Sequence, residues 1–92
     1  MAFEPTATVV RSAETIATEV DGEIVLIDID EGKYFGLDTI GSEIWRRLET
    51  PTRVDALCAG LAEHFDGDPA VIEAETLTFL DTLVASNLLR AA

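Results

Sequence analysis

Residues 15–37 carry the strongest constraint in the chain: three strand-like segments joined by two turns that are too short for anything but antiparallel neighbours. The first segment, Thr15-Ile16-Ala17-Thr18-Glu19-Val20, is rich in β-branched residues and alternates loosely. Asp21-Gly22 follows, a dipeptide that two-residue hairpins favour because both central residues take positive φ. Glu23-Ile24-Val25-Leu26-Ile27-Asp28-Ile29 is the best strand of the chain, Asp30-Glu31-Gly32 turns again, and Lys33-Tyr34-Phe35-Gly36-Leu37 completes a meander. The middle strand is its centre. Thr8-Val9-Val10 offers one further short strand near the N-terminus.

The rest of the chain reads as helices over about 38–49, 52–65 and 69–86. Asp38 is placed to cap the first, in which Ile40, Ile44, Trp45 and Leu48 recur at helical spacing. Trp45, a large aromatic on the helix that follows the sheet, reads as core. Thr52-Arg53-Val54-Asp55 resembles a capping box with Asp in the place of Glu. Val54, Leu57, Cys58, Leu61 and Phe65 then form one apolar stripe. Asp68 and Pro69 open the third helix, and Asn87 suits a left-handed end. On that helix Leu77, Leu80, Val84 and Leu88 make one stripe, and Ile72, Phe79 and Leu83 make a second, with Thr76 between them. Together they cover nearly half the circumference, more than a helix resting on one core needs. Either the helix is buried deeply or one flank of it walls a groove. The expected fold is a single α+β domain over residues 1–92, a three-stranded antiparallel β-meander packed on three helices.

Composition narrows the partners. Hydrophobic residues make up 48% of 92 positions, enough for a core without disulfides or metals. No apolar run is long enough to span a bilayer, and Met1-Ala2-Phe3-Glu4-Pro5 has no secretory character. The single cysteine, Cys58, has no internal partner, so a reducing, cytoplasmic setting is expected. Eighteen Asp and Glu against six Lys and Arg give a net charge of −12. Such a surface repels nucleic acid and anionic membranes and attracts neutral or basic peptides. Solubility alone also accounts for an acidic surface.

A search for chemistry returns little. The glycines are scattered over turns and helix ends, so no phosphate loop forms. His64 and Cys58 stand six residues apart, which puts them on different helix faces and suits neither metal binding nor a catalytic pair. Asp28, Asp30 and Glu31 cluster at one turn and read as a solvated surface. Neither an enzyme nor a cofactor or metal protein is expected. The strand 33–37 stands out instead. Lys33 and Gly36 soften its edge, while Tyr34, Phe35 and Leu37 invite pairing; Phe35 and Leu37 face one side, Tyr34 and Gly36 the other. Two readings stay open here: an edge covered by a helix or by self-association, or an edge that adds a partner's strand.

The run Gly32-Lys33-Tyr34-Phe35-Gly36-Leu37-Asp38-Thr39-Ile40-Gly41-Ser42-Glu43-Ile44-Trp45-Arg46-Arg47-Leu48, with Thr52-Arg53-Val54-Asp55-Ala56-Leu57 and the closing Leu88-Leu89, resembles the PqqD-like family. Those proteins recognise leader peptides of ribosomally made, post-translationally modified peptides. The resemblance spans about 15–89, and its Leu-Asp-x-x-Gly-x-x-Ile-Trp-x-x-Leu core, residues 37–48, is its most specific part. It implies a fold similar to a winged helix-turn-helix, with a leader added as a fourth strand beside Lys33, Tyr34, Phe35, Gly36 and Leu37. Ile72, Glu75, Thr76, Phe79 and Leu83 would then wall the groove, with Glu75 steering basic leader residues. The implied role is non-catalytic delivery of a precursor to a leader protease and a cyclase of a lasso-peptide pathway, the subgroup that Tyr34-Phe35-Gly36-Leu37-Asp38 is most similar to. The alternative is presentation to a radical SAM enzyme. A winged-helix DNA-binding protein is a distant third, since the third helix carries only acidic residues before Arg90.

Overall fold

The computed structural model describes residues 4–12, 15–29 and 31–92; Asp30 of the second turn and the start of the chain, residues 1–3, lie outside them. The meander forms as expected from strands β2 (Ile16–Val20), β3 (Glu23–Asp28) and β4 (Lys33–Gly36), in the order β2-β3-β4. Asp21 and Gly22 take φ of 53° and 84°, the pair of positive values that a tight hairpin requires. The helices are α1 (Thr39–Arg47), α2 (Val54–His64) and α3 (Pro69–Ala85).

A second sheet was not legible in the sequence. β1 (Thr8–Arg11) is its centre, flanked antiparallel by β5 (Thr52–Arg53) and β6 (Leu89–Ala91). The short strand expected at Thr8–Val10 forms as β1, but Thr52 is not a helix cap: it pairs with Val9, and its hydroxyl donates to the Arg47 and Thr50 carbonyls. Arg53 takes the cap position without capping the helix through its side chain; its guanidinium instead grips Asp55, holding that carboxyl below the usual carboxylate range.

The other caps form as read. The Asp38 carboxylate accepts from the Gly41 N–H at 2.7 Å and the Asp68 carboxylate from the Ala70 N–H at 2.9 Å. At the end of α3, Asn87 has φ of 60°, its N–H donates to the Val84 carbonyl, and the Leu88 N–H reaches back to the Leu83 carbonyl. That is a Schellman ending, and the two residues that usually make its apolar contact, Leu83 and Leu88, are both buried in the core. One core draws on both sheets and all three helices: Val9, Leu26, Ile44, Trp45, Leu48, Leu57, Leu61, Leu80 and Leu89 all belong to it.

Candidate functional site

The corner where β4 becomes α1 is tied from several sides. Leu37 follows β4 into the core, and its N–H donates to the Ile24 carbonyl at 2.8 Å. The fully buried Ser42 hydroxyl sits in the same pair, accepting from the Ile24 N–H and donating to the Leu37 carbonyl. Asp38 caps the helix, and Gly41 leaves room for a ring: a Cβ there would lie 3.4 Å from both Phe79 Cζ and Leu37 Cβ. Ile44, Trp45 and Leu48 are core. Each member of the Leu-Asp-x-x-Gly-x-x-Ile-Trp-x-x-Leu run thus has a physical task, and together they fix the end of β4 against α3.

The ladder shows which backbone groups of β4 are free. Residues of an antiparallel strand bond alternately to one neighbour and the other. Leu37 bonds to β3, so Phe35 and Lys33 do as well, and Tyr34 and Gly36 turn their N–H and C=O groups to the open side. No described strand pairs with that edge. Phe35 is half-buried against the core, while the Tyr34 ring is exposed on the opposite face of the sheet. Lys33 is exposed and pairs with Glu31 at 3.2 Å.

On α3 the expected wall residues separate into two groups. Glu75 and Phe79 line an open pocket of about 420 Å³ together with Ala74, Thr78 and Thr82. Ile72, Thr76 and Leu83 do not; they are buried with Leu80 and form the face on which the helix rests. The apolar arc read from the sequence is therefore mostly core, and the exposed wall lies on its flank and beyond. Threonines make that wall less polar than its composition suggests. The Thr78 hydroxyl donates to the Ala74 carbonyl and the Thr82 hydroxyl to the Thr78 carbonyl, both at 3.1 Å. With their hydroxyls bonded to their own helix, these residues leave mainly methyl groups to the pocket. Ala74, Thr78 and Thr82 were missed because small and hydroxylated residues register as neutral in an apolar-stripe count. Their i, i+4, i+8 spacing opposite the buried face was the available signal.

No group of three or more His, Cys, Asp or Glu is placed to hold a metal among the described residues. Cys58 is half-buried on α2, and burial pushes its thiol up, helped by the negative charges of Glu73 and Asp55. His64 packs edge-on against Phe65, with ring centroids 4.7 Å apart. Among the described residues no helix is long and apolar enough to cross a membrane.

Comparison with known proteins adds to this geometry. Residues 23–89 match the family model for coenzyme PQQ synthesis protein D (PqqD). Among solved structures, TbiB1 in complex with the TbiA(beta) leader peptide is 31% identical, covers 88% of this chain and 94% of its own, and superposes with a TM-score of 0.80. The PqqD truncation of Methylobacterium extorquens PqqCD, described as a stand-alone recognition element for ribosomally synthesised and modified peptides, is 22% identical over 97% and 95% of the two chains, with a TM-score of 0.79. A lasso peptide synthetase B1 complexed with its leader peptide is 17% identical over 89% and 96%, with a TM-score of 0.78. These last two show the shared fold. No curated protein sequence matches the chain.

Proposed function

We propose that this chain, which belongs to the PqqD family, is a non-catalytic recognition element that binds a precursor's leader peptide along the open edge of β4 beside α3. The observation that carries the reading is the meeting of two unsatisfied features at Phe79. The strand with free backbone groups at Tyr34 and Gly36 runs into the Leu37–Gly41 corner, and Phe79, from a helix flank of low polarity, reaches that same corner. Main-chain bonds to an added strand supply affinity, and the flank supplies side-chain selection. The likeness to TbiB1, whose structure holds a leader peptide, supports the same occupant. Within this reading the wall is Ala74, Glu75, Thr78, Phe79 and Thr82, in place of the buried Ile72, Thr76 and Leu83.

Delivery to a leader protease and a cyclase of a lasso-peptide pathway is the role we favour, on the sequence of the β4 strand, with presentation to a radical SAM enzyme as the alternative. A short precursor gene beside a protease and an asparagine-synthetase-like cyclase would support the first; a neighbouring radical SAM gene would support the second. The DNA-binding reading loses ground on charge. Lys33, Arg46, Arg47 and Arg53 are each paired with a carboxylate, Arg11 lies over the Trp45 ring, and Arg90 is one exposed cation, so the described residues form no basic face for a phosphate backbone.

The test is calorimetry with the leader of the adjacent precursor. Affinity is expected to be micromolar or tighter, about 8 kcal/mol or more. The ladder decides which substitution is informative. Proline at Phe35 would remove a bond to β3 and threaten the sheet itself, whereas Tyr34→Pro removes an outward N–H. Tyr34→Pro is expected to weaken the leader by at least tenfold in a chain that keeps its circular dichroism. Wild-type affinity in that variant would refute strand addition at this edge.

A further inference from the structure

The outward face of the meander, opposite the core, is built like a surface meant to be covered. An antiparallel sheet with one wet face normally alternates apolar and polar residues, but β3 is a near-continuous apolar run. The ladder brings Ile16, Ile27 and Tyr34 into one cross-strand row on this face, and Thr18, Val25 and Gly36 into the next. Ile29 continues the alternation beyond β3, and Val20 lies at the other end of β2. Ile16, Val20, Ile29 and Tyr34 are 46%, 54%, 64% and 73% exposed. These are four of the five large hydrophobic side chains most exposed among the described residues. Nothing described covers the centre, since a Cβ added at Gly36 would meet no atom within 4 Å. Apolar patches of this kind mark interaction sites.

We propose that this face docks a partner protein whose contact patch is apolar at its centre and carries Lys or Arg at its rim. Two observations select that occupant. Charge is the first: Glu23 closes one end of the patch, the other end carries the Glu31–Lys33 ion pair, and the chain as a whole has a net charge of −12. A second copy would bring the same charge and be repelled, whereas a basic rim is attracted. Continuity is the second. Tyr34 belongs to both surfaces, its backbone to the open edge and its ring to the outward face, so a protein docked here stands next to whatever occupies that edge. The enzyme to which the precursor is delivered is the partner that such an arrangement serves, and in this the inference rests on the proposed function.

The test uses the full chain and the purified leader-processing or modifying enzyme encoded beside it, with leader affinity measured separately by calorimetry. The double variant Ile16→Ser/Val20→Ser alters only exposed positions remote from the β4 edge, and Glu23→Lys reverses the rim without touching the apolar centre. Both are expected to weaken enzyme binding, by biolayer interferometry, at least tenfold while leader affinity stays within twofold of wild type. Wild-type enzyme affinity in both variants, or no enzyme binding by the parent chain, overturns the proposal. So does sedimentation showing a dimer of the parent chain that the double variant abolishes. Loss of leader binding by the parent chain with enzyme binding intact would count against the leader reading and in favour of the docking face.

Discussion

Thr76 shows how a single side chain separates two readings of α3. The residue is 1% exposed, and its buried hydroxyl has no hydrogen-bond partner among the described residues. A buried hydroxyl without a partner costs roughly 1–3 kcal/mol, and valine has nearly the same shape without that group. Thr76→Val is therefore expected to stabilise the fold by about 1 kcal/mol in urea unfolding and to leave leader affinity unchanged. Destabilisation together with lost affinity would instead place Thr76 in the groove. Cys58 gives a second residue-scale test. Its raised thiol pKa means that the folded chain holds the proton more tightly than the unfolded one. The associated stability is complete below the unfolded thiol value and is lost as pH rises from there through the raised folded value. Iodoacetamide labelling at pH 8 is expected to be at least several-fold slower in the native chain than in urea. Equal rates would mean that Cys58 is not shielded.

At the scale of elements, legibility tracked how local the determinants are. The meander was readable because its turns are local: Asp21-Gly22 names its own geometry, and β3 names its own apolar run. Caps at Asp38 and Asp68 were readable for the same reason. β5 and β6, of two and three residues, have no periodicity to read; they exist because β1 pairs with both. Thr52 was misassigned since a threonine before an apolar run looks the same whether it caps a helix or ends a strand. For the proposed site, β4 was legible as a strand, whereas which α3 side chains are left exposed beside it is set by rotation about the helix axis. That rotation is fixed by packing, as the burial of Ile72, Thr76, Leu80 and Leu83 shows. A prediction follows for this element: Thr78→Arg should weaken the leader at least tenfold by filling the pocket with a charged chain, while an equally exposed change outside the pocket, Glu73→Gln, should leave it within twofold. Equal effects of the two would remove α3 from the site.

Across the whole molecule, acidity, an open edge and an apolar outward face describe an adaptor more readily than a catalyst. A strand added to β4 would become a fourth member of the meander and extend the outward face by one row of side chains. The occupant proposed for that position is the leader. Amide hydrogen exchange, followed by NMR residue by residue with and without the leader, distinguishes it from other occupants. The Tyr34 and Gly36 amides, unbonded at the open edge, are expected to become strongly protected on binding, while Phe35, already bonded to β3, changes little. A bound leader that leaves Tyr34 and Gly36 exchanging as in the free chain would contradict it.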